Sequence, residues 1–275
     1  MEFSGIIAKM SEKAERKSEN DYIKDGLIHC HKCDTPKQCR ITIAGNNVVV
    51  YCMCECEAEL QRKKEEENKR IEAEQLIDRY RSLGFKDKRM REFTFENDDG
   101  EDQRTTSIMK NYVENFDEFY AKGKGLLLYG KCGTGKTFAA CEVASALIEK
   151  GRPCIVTNIA YIVNTLSGFD DSKEYIDSLN KFDLLVIDDF GTERRTEFME
   201  EQLFSVIDAR YRSGKPMIIT TNLSLDEIKS PKTEGGERLF DRIIERCMPI
   251  EVNGVNRRRK QVCKDYDDFR KKLGF

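Results

Sequence analysis

Gly130-Lys131-Cys132-Gly133-Thr134-Gly135-Lys136-Thr137 satisfies the spacing G-x-x-x-x-G-K-[ST]. Glycines there let the backbone turn its N–H groups inward around a phosphate with no Cβ in the way, and a helix beginning just beyond adds positive potential. Lys136 is placed to reach the β- and γ-phosphates of ATP, and the Thr137 hydroxyl to bind Mg²⁺. The predicted nucleotide contacts run from Gly130 through Phe138. Further on, Phe182-Asp183-Leu184-Leu185-Val186-Ile187-Asp188-Asp189 is an apolar strand closing on two carboxylates. Asp188 is expected to hold Mg²⁺ through water and Asp189 to polarise an attacking water at the carboxyl end of that strand. A second apolar run, Met217-Ile218-Ile219-Thr220-Thr221, ends in Asn222, whose amide can bond both a γ-phosphate and the lytic water.

A different chemistry is written earlier in the chain. Cys30-x-x-Cys33, then Cys52-x-Cys54-x-Cys56 about twenty residues later, has the two-knuckle spacing of a structural zinc site. Four thiolates suffice for Zn²⁺, so Cys30 and Cys33 are joined by two of Cys52, Cys54 and Cys56. His29 and His31 flank Cys30 and can substitute, while Cys39 lies beyond the first knuckle.

These residues need elements to hold them. Between the knuckles, Cys39–Ile43 and Val48–Tyr51 read as a β-hairpin turned by Gly45-Asn46-Asn47. Such a module buries too little apolar surface alone, and a metal would define its fold. The charged stretch through Asp25 reads as a marginal helix or a partner-docking arm, and Glu57–Arg81, free of Gly and Pro, as a charged linker helix. From Gly125 onward buried strands alternate with amphipathic helices: strands Leu126–Tyr129, Cys154–Thr157, Leu184–Ile187 and Pro216–Thr220, helices Lys136–Glu149 and Glu197–Arg212. That alternation predicts an α/β fold with a parallel sheet covered on both faces. The expected divisions are 1–59 (arm and zinc module), 60–92 (linker) and 93–275 (nucleotide domain).

Composition sets the outer limits. With 47 basic and 50 acidic residues, the net charge of -3 leaves a nucleic-acid partner open. No apolar run approaches the ~18 residues of a membrane span, and the N-terminus lacks a signal-peptide core. A cytoplasmic protein without a membrane partner is expected, its eleven cysteines reduced or metal-bound.

The order of Leu126–Thr137, Leu185–Gly191, Ile219–Asn222 and Gly236-Glu237-Arg238-Leu239-Phe240-Asp241-Arg242 resembles AAA+ ATPases of the DnaC/DnaI/IstB group, over roughly Phe93 to Lys260. The resemblance implies a five-stranded P-loop core, ATP-dependent head-to-tail self-association, single-stranded DNA contact, and handover of a replicative ring helicase through the N-terminal part. Arg242 matches the group's arginine finger and Arg257 its second sensor, with Arg258 a near rival. Phe169, Thr196 and Phe198 match DNA-facing positions, beside Arg194 and Arg195. Cys54 and Cys56 fit the group's metal module better than Cys52. Asp189 stands where a glutamate is common, which implies slow turnover. Two other functions share the core: an IstB-type transposition helper acting on double-stranded DNA, and a nucleotide-dependent DNA-binding protein with negligible hydrolysis.

Overall fold

Asp25 and Gly26 both take positive φ, 51° and 72°, and so close a tight hairpin between β1 (Tyr22–Lys24) and β2 (Leu27–His29). The expectation of a marginal helix is therefore corrected for residues 22–25, and the rest of that stretch, residues 1–19, lies outside the described residues. The computed structural model describes residues 20–43, 45–168, 172–191, 197–230 and 233–274. It divides into two units, Met1–Glu74 and Gln75–Phe275. In the first unit β3 (Gln38–Ile43) pairs antiparallel with β4 (Asn46–Tyr51), from Gln38 opposite Tyr51 to Ile43 opposite Asn46. The two hairpins are tied by Lys37 N–H donating to the Ile28 carbonyl and Ile28 N–H donating to Gln38 Oε1, each at 2.7 Å. Helix α1 (Glu55–Gly84) follows, with Glu55 and Glu57 placed to favour its positive end. Leu60, Ile71 and Leu76 are exposed on it, whereas Ile77 and Tyr80 near its end pack against the core of the second unit.

The second unit takes in the last turns of α1, a 3₁₀ turn (Lys88–Glu92), α2 (Gln103–Glu114) and α3 (Phe116–Ala121). Then come β5 (Gly125–Tyr129), α4 (Lys136–Glu149), β6 (Cys154–Asn158), α5 (Ile159–Gly168) and α6 (Ser172–Leu179). The chain continues through β7 (Leu184–Phe190), α7 (Glu197–Ser213), β8 (Met217–Thr221), α8 (Leu225–Lys229), α9 (Glu234–Arg246), β9 (Cys247–Glu251) and α10 (Arg257–Leu273). The five strands form a parallel sheet in the order β6-β7-β8-β5-β9.

Strand alternation divides the core into two layers. Leu126, Leu128, Val186 and Ile218 pack with Met109, Tyr112, Val143 and Leu147 of α2 and α4 on one face. Leu127, Leu185, Ile187 and Ile219 pack with Ile162, Ile207, Phe240 and Ile243 on the other. At the amino ends of β7 and β8 the fully buried Arg210 donates to the carbonyls of Phe182 (2.9 Å), Asp183 (2.7 Å) and Pro216 (2.6 Å). Burial pulls its pKa down to about 10. This cation staples two strand starts that would otherwise present buried, unsatisfied carbonyls.

Candidate functional site

The phosphate loop is shaped by what its glycines avoid. A Cβ at Gly130 would stand 2.5 Å from the Val252 carbonyl oxygen, and Gly135, at the start of α4, has φ 102°. Lys136, 5% exposed, donates to the carbonyls of Gly130 and Lys131, each at 2.8 Å, and to Asn222 Oδ1 at 2.7 Å. A lysine and an amide from strand ends far apart in sequence thus meet over the loop.

Beside them the Asp188 carboxylate is buried. Its Oδ1 accepts from Thr137 Oγ1 (2.8 Å) and Thr220 Oγ1 (2.6 Å). Burial raises its pKa, partly offset by those two hydroxyls. A raised carboxyl pKa means the charged form lacks solvation, so the donor set of one hydroxyl and one poorly solvated carboxylate fits a hard cation such as Mg²⁺. Asp189 is exposed and has φ 54°, rare for a non-glycine. Its N–H donates to Thr220 Oγ1 at 3.0 Å, and the β7–β8 register shifts between Ile187 and Phe190. The bulge carries β7 past both carboxylates to Phe190, beyond the end expected at Ile187, and turns the second one outward.

Lys136, Thr137, Asp188, Asp189, Asn222 and Arg257 share one cleft of about 800 Å³. Its remaining wall comes from Asp87, Arg89, Met90 and Phe93, with the Phe93 ring 4.9 Å from that of Phe138. Sequence reading missed this wall and the Thr220 hydroxyl. Thr220 was detectable as a hydroxyl in an apolar strand, whereas the 3₁₀ turn carries no comparable motif. Arg257 N–H donates to the Gly133 carbonyl (3.0 Å), and its guanidinium pairs with Asp99 (3.0 Å) and Asp98 (3.6 Å). Glu142 lies behind the loop, 2% exposed, with Oε1 lacking a hydrogen-bond partner. Burial, then the neighbouring Asp98, pushes its pKa up to about 8.

Other expected residues lie apart from the cleft. Arg242 on α9 donates through Nε to Asp208 Oδ1 at 2.6 Å and stacks on Phe204, 4.8 Å from the ring centre. It is therefore engaged within its own chain. Phe198 is half exposed on α7, on the surface rather than in the core. Phe169, Arg194, Arg195 and Thr196 lie outside the described residues, as does the side chain of Arg258.

In the first unit the Sγ atoms of Cys30, Cys33, Cys54 and Cys56 all lie within 4.8 Å of one another. Cys30 to Cys56 is 3.6 Å and Cys54 to Cys56 is 3.4 Å, close to the edge of about 3.8 Å that a tetrahedron of Zn–S bonds requires. The donor set fits zinc. Cys33, led by a bond with the Thr35 hydroxyl, has its pKa lowered to about 6. Cys52 is set apart from this group, its Sγ contacting the Pro36 carbonyl at 3.4 Å. A strand's period of two would put all three cysteines on one face, but β4 ends at Tyr51 and α1 begins at Glu55, so that alternation is broken between Cys52 and Cys56. Asp21, Cys30 and His31 form a second grouping that shares Cys30.

The sheet, phosphate loop and paired carboxylate strand define an ATP-binding P-loop protein of the AAA+ class. The chain belongs to the family described as IstB-like ATP binding protein, whose model matches residues 52–265. It is 32% identical to the replicative helicase loader DnaI of Bacillus subtilis (strain 168) over 57% of this chain and 53% of that protein. It is 28% identical to the replicative helicase loader DnaC of Escherichia coli (strain K12), over 50% and 56%. The matched stretch thus spans about half the length of these curated relatives. A crystal structure of DnaI shares the fold with TM-score 0.54 and 21% identity, over 65% of this chain and 99% of that one. Among the described residues no helix is long and apolar enough to cross a membrane.

Proposed function

We propose that the chain uses ATP binding and slow hydrolysis as a switch to place a replicative ring helicase on single-stranded DNA. The observation that carries the ATPase half is the convergence of two hydrogen-bonded pairs, Lys136 with Asn222 and Thr137 with Asp188, in one cleft at the carboxyl edge of the sheet. The loader half rests on similarity to DnaI and DnaC.

Lys136 and the loop N–H groups from Gly130 to Phe138 bind the phosphates. Thr137, and Asp188 through water, would hold Mg²⁺, which would supply charge neutralisation across them. Asn222 orients the attacking water and Asp189 accepts its proton. The short Asp189 side chain favours a long-lived ATP state, as a switch needs. Arg257 reaches the nucleotide, and Arg242, freed from Asp208, completes the cleft of a neighbouring copy in a head-to-tail assembly. Phe169, Thr196 and Phe198 face single-stranded DNA, where an aromatic ring stacks on a base for ~1 to 3 kcal/mol. The zinc module of 1–59 grips the helicase, 60–92 links it to the ATPase domain of 93–275, and the work takes place in the cytoplasm.

A second reading is the IstB-type transposition helper, which shares the ATP-binding core of the family. Single-turnover hydrolysis with and without single-stranded DNA, combined with co-purification against a replicative helicase, tests the proposal. Hydrolysis plus helicase capture is expected. No hydrolysis under either condition removes the ATPase step, and capture of a transposase instead of a helicase overturns the loader assignment.

A further inference from the structure

Arg257 reaches the cleft with its backbone already fixed. Its N–H donates to the Gly133 carbonyl at 3.0 Å, and Asn256 Nδ2 donates to the Cys132 carbonyl at 3.1 Å, so the first turn of α10 is tied to the phosphate loop. The guanidinium lies over that loop: a Cβ at Gly135 would stand 3.3 Å from its Cζ. Its outer end is ion-paired with Asp98 and Asp99, adjacent residues ahead of α2 that both approach the same terminal nitrogen, Nη1.

The two carboxylates are neighbours in sequence and opposites in setting. The Asp99 side chain is 45% exposed, stands 3.0 Å from the guanidinium and lines the cleft itself. That of Asp98 is 8% exposed and lines instead a small polar void behind the phosphate loop, beside Thr134 and Glu142. Asp98 Oδ2 accepts from Thr106 Oγ1 at 2.5 Å, a short charge-assisted bond that fixes the carboxylate, while Oδ1 faces Arg257 at 3.6 Å. Asp102 lines the same void, but its oxygens accept from Thr105 N–H and Oγ1 and so cap α2. Burial pushes the Glu142 pKa up to about 8 and keeps its carboxyl largely protonated at neutral pH. Asp98 is thus the ionised group that meets Arg257 from behind.

These settings give the two residues opposite effects. An exposed ion pair is screened by water and contributes little, so a triphosphate entering the cleft displaces Asp99 from the guanidinium at small cost. A buried carboxylate pinned by a hydroxyl stays in place, and its bond to Nη1 keeps the planar guanidinium turned over Gly135, where a phosphate held by the loop meets it. We infer, on the reading that this cleft holds ATP with Arg257 at its phosphates, that Asp98 is a positioning residue aiming Arg257 at ATP and that Asp99 is the anion ATP displaces from it. Asp98 touches no part of the nucleotide in this arrangement and acts through Arg257 alone.

Calorimetric titration of ATP with Mg²⁺ into the full chain tests it. Asp99→Asn is expected to tighten ATP by about threefold. Asp98→Asn should weaken it by about tenfold, although it too removes a negative charge near an anion site. Thr106→Val keeps both carboxylates and removes only the hydroxyl that pins Asp98, so it should weaken ATP in the same direction by a smaller factor. In a chain carrying Arg257→Gln, Asp98→Asn should cause no further loss, whereas a loss from disturbed folding would persist there. Asp98→Asn and Asp99→Asn shifting the affinity the same way, or a loss that survives in the Arg257→Gln chain, overturns the inference and leaves the cleft reading standing. A wild-type chain that binds no ATP, or Arg257→Gln with wild-type affinity, overturns the cleft reading and the inference with it.

Discussion

The hairpins of the first unit bury Ile28 and Val50 with Cys30 and Cys54, whereas the second unit buries two full layers of aliphatic and aromatic side chains on either face of its sheet. One region gathers its thiols because it has little else to gather around. The other has enough apolar burial to offset the cost of Lys136, Asp188, Glu142 and Arg210, all buried and all polar. Dependence on a ligand for folding is therefore expected in the first unit, and dependence on a ligand for function in the second.

Metal removal should break that comparison most visibly. Chelation, or Cys30→Ser, is expected to unfold the hairpin module while the second unit melts unchanged, since a structural zinc contributes on the order of 10 kcal/mol of apparent folding energy. Thiol labelling of Cys33, Cys54 and Cys56 against a separate melting curve checks this. Metal content near zero in gently purified protein would remove the zinc assignment. Next in size, Lys136→Ala should reduce ATP affinity by more than about a hundredfold, near 3 kcal/mol, without loosening the module. Calorimetric titration reads it, and unchanged affinity would contradict the phosphate site. Arg210→Met should cost roughly 3 kcal/mol of second-unit stability by stranding the carbonyls of Phe182, Asp183 and Pro216. A shift in the denaturant midpoint confined to the second transition is the expected result.

The smallest effect depends on pH. Glu142 has its folded pKa raised to about 8, so the native state holds a proton that the unfolded chain has released. Its contribution is fully present below the ordinary glutamate value near 4.3 and is lost as pH rises towards 8. Glu142→Gln should flatten this decline, worth at most a few kcal/mol, and an unaltered pH profile would place the dependence elsewhere.

How much of this was legible beforehand follows the range of each interaction. The phosphate loop and α4 were legible because Gly130 to Thr137 are contiguous and their spacing is itself the geometry. The Asp25-Gly26 turn carried a local signal as strong, yet the charged stretch around it obscured the hairpin. Choosing Cys54 and Cys56 over Cys52 required knowing which way each side chain leaves the turn before α1, which spacing leaves open. The bond from Lys136 to Asn222 spans 86 residues, and that from Thr220 to Asp188 spans 32. Both depend on β5, β7 and β8 lying side by side.

The amino-acid order alone set out the candidate chemistries, a phosphate loop with paired carboxylates at one place and a group of thiols at another, together with the alternation that makes a parallel sheet. Those are properties of neighbouring residues, written in backbone freedom and side-chain type. Only the tertiary structure decided that Arg242 pairs with Asp208, that Glu142 is buried with an unbonded oxygen, and that Asp98 and Asp99 meet Arg257 in different settings. Each of these depends on which surfaces remain after the strands have taken their order, and strand order is set by the packing of the whole sheet.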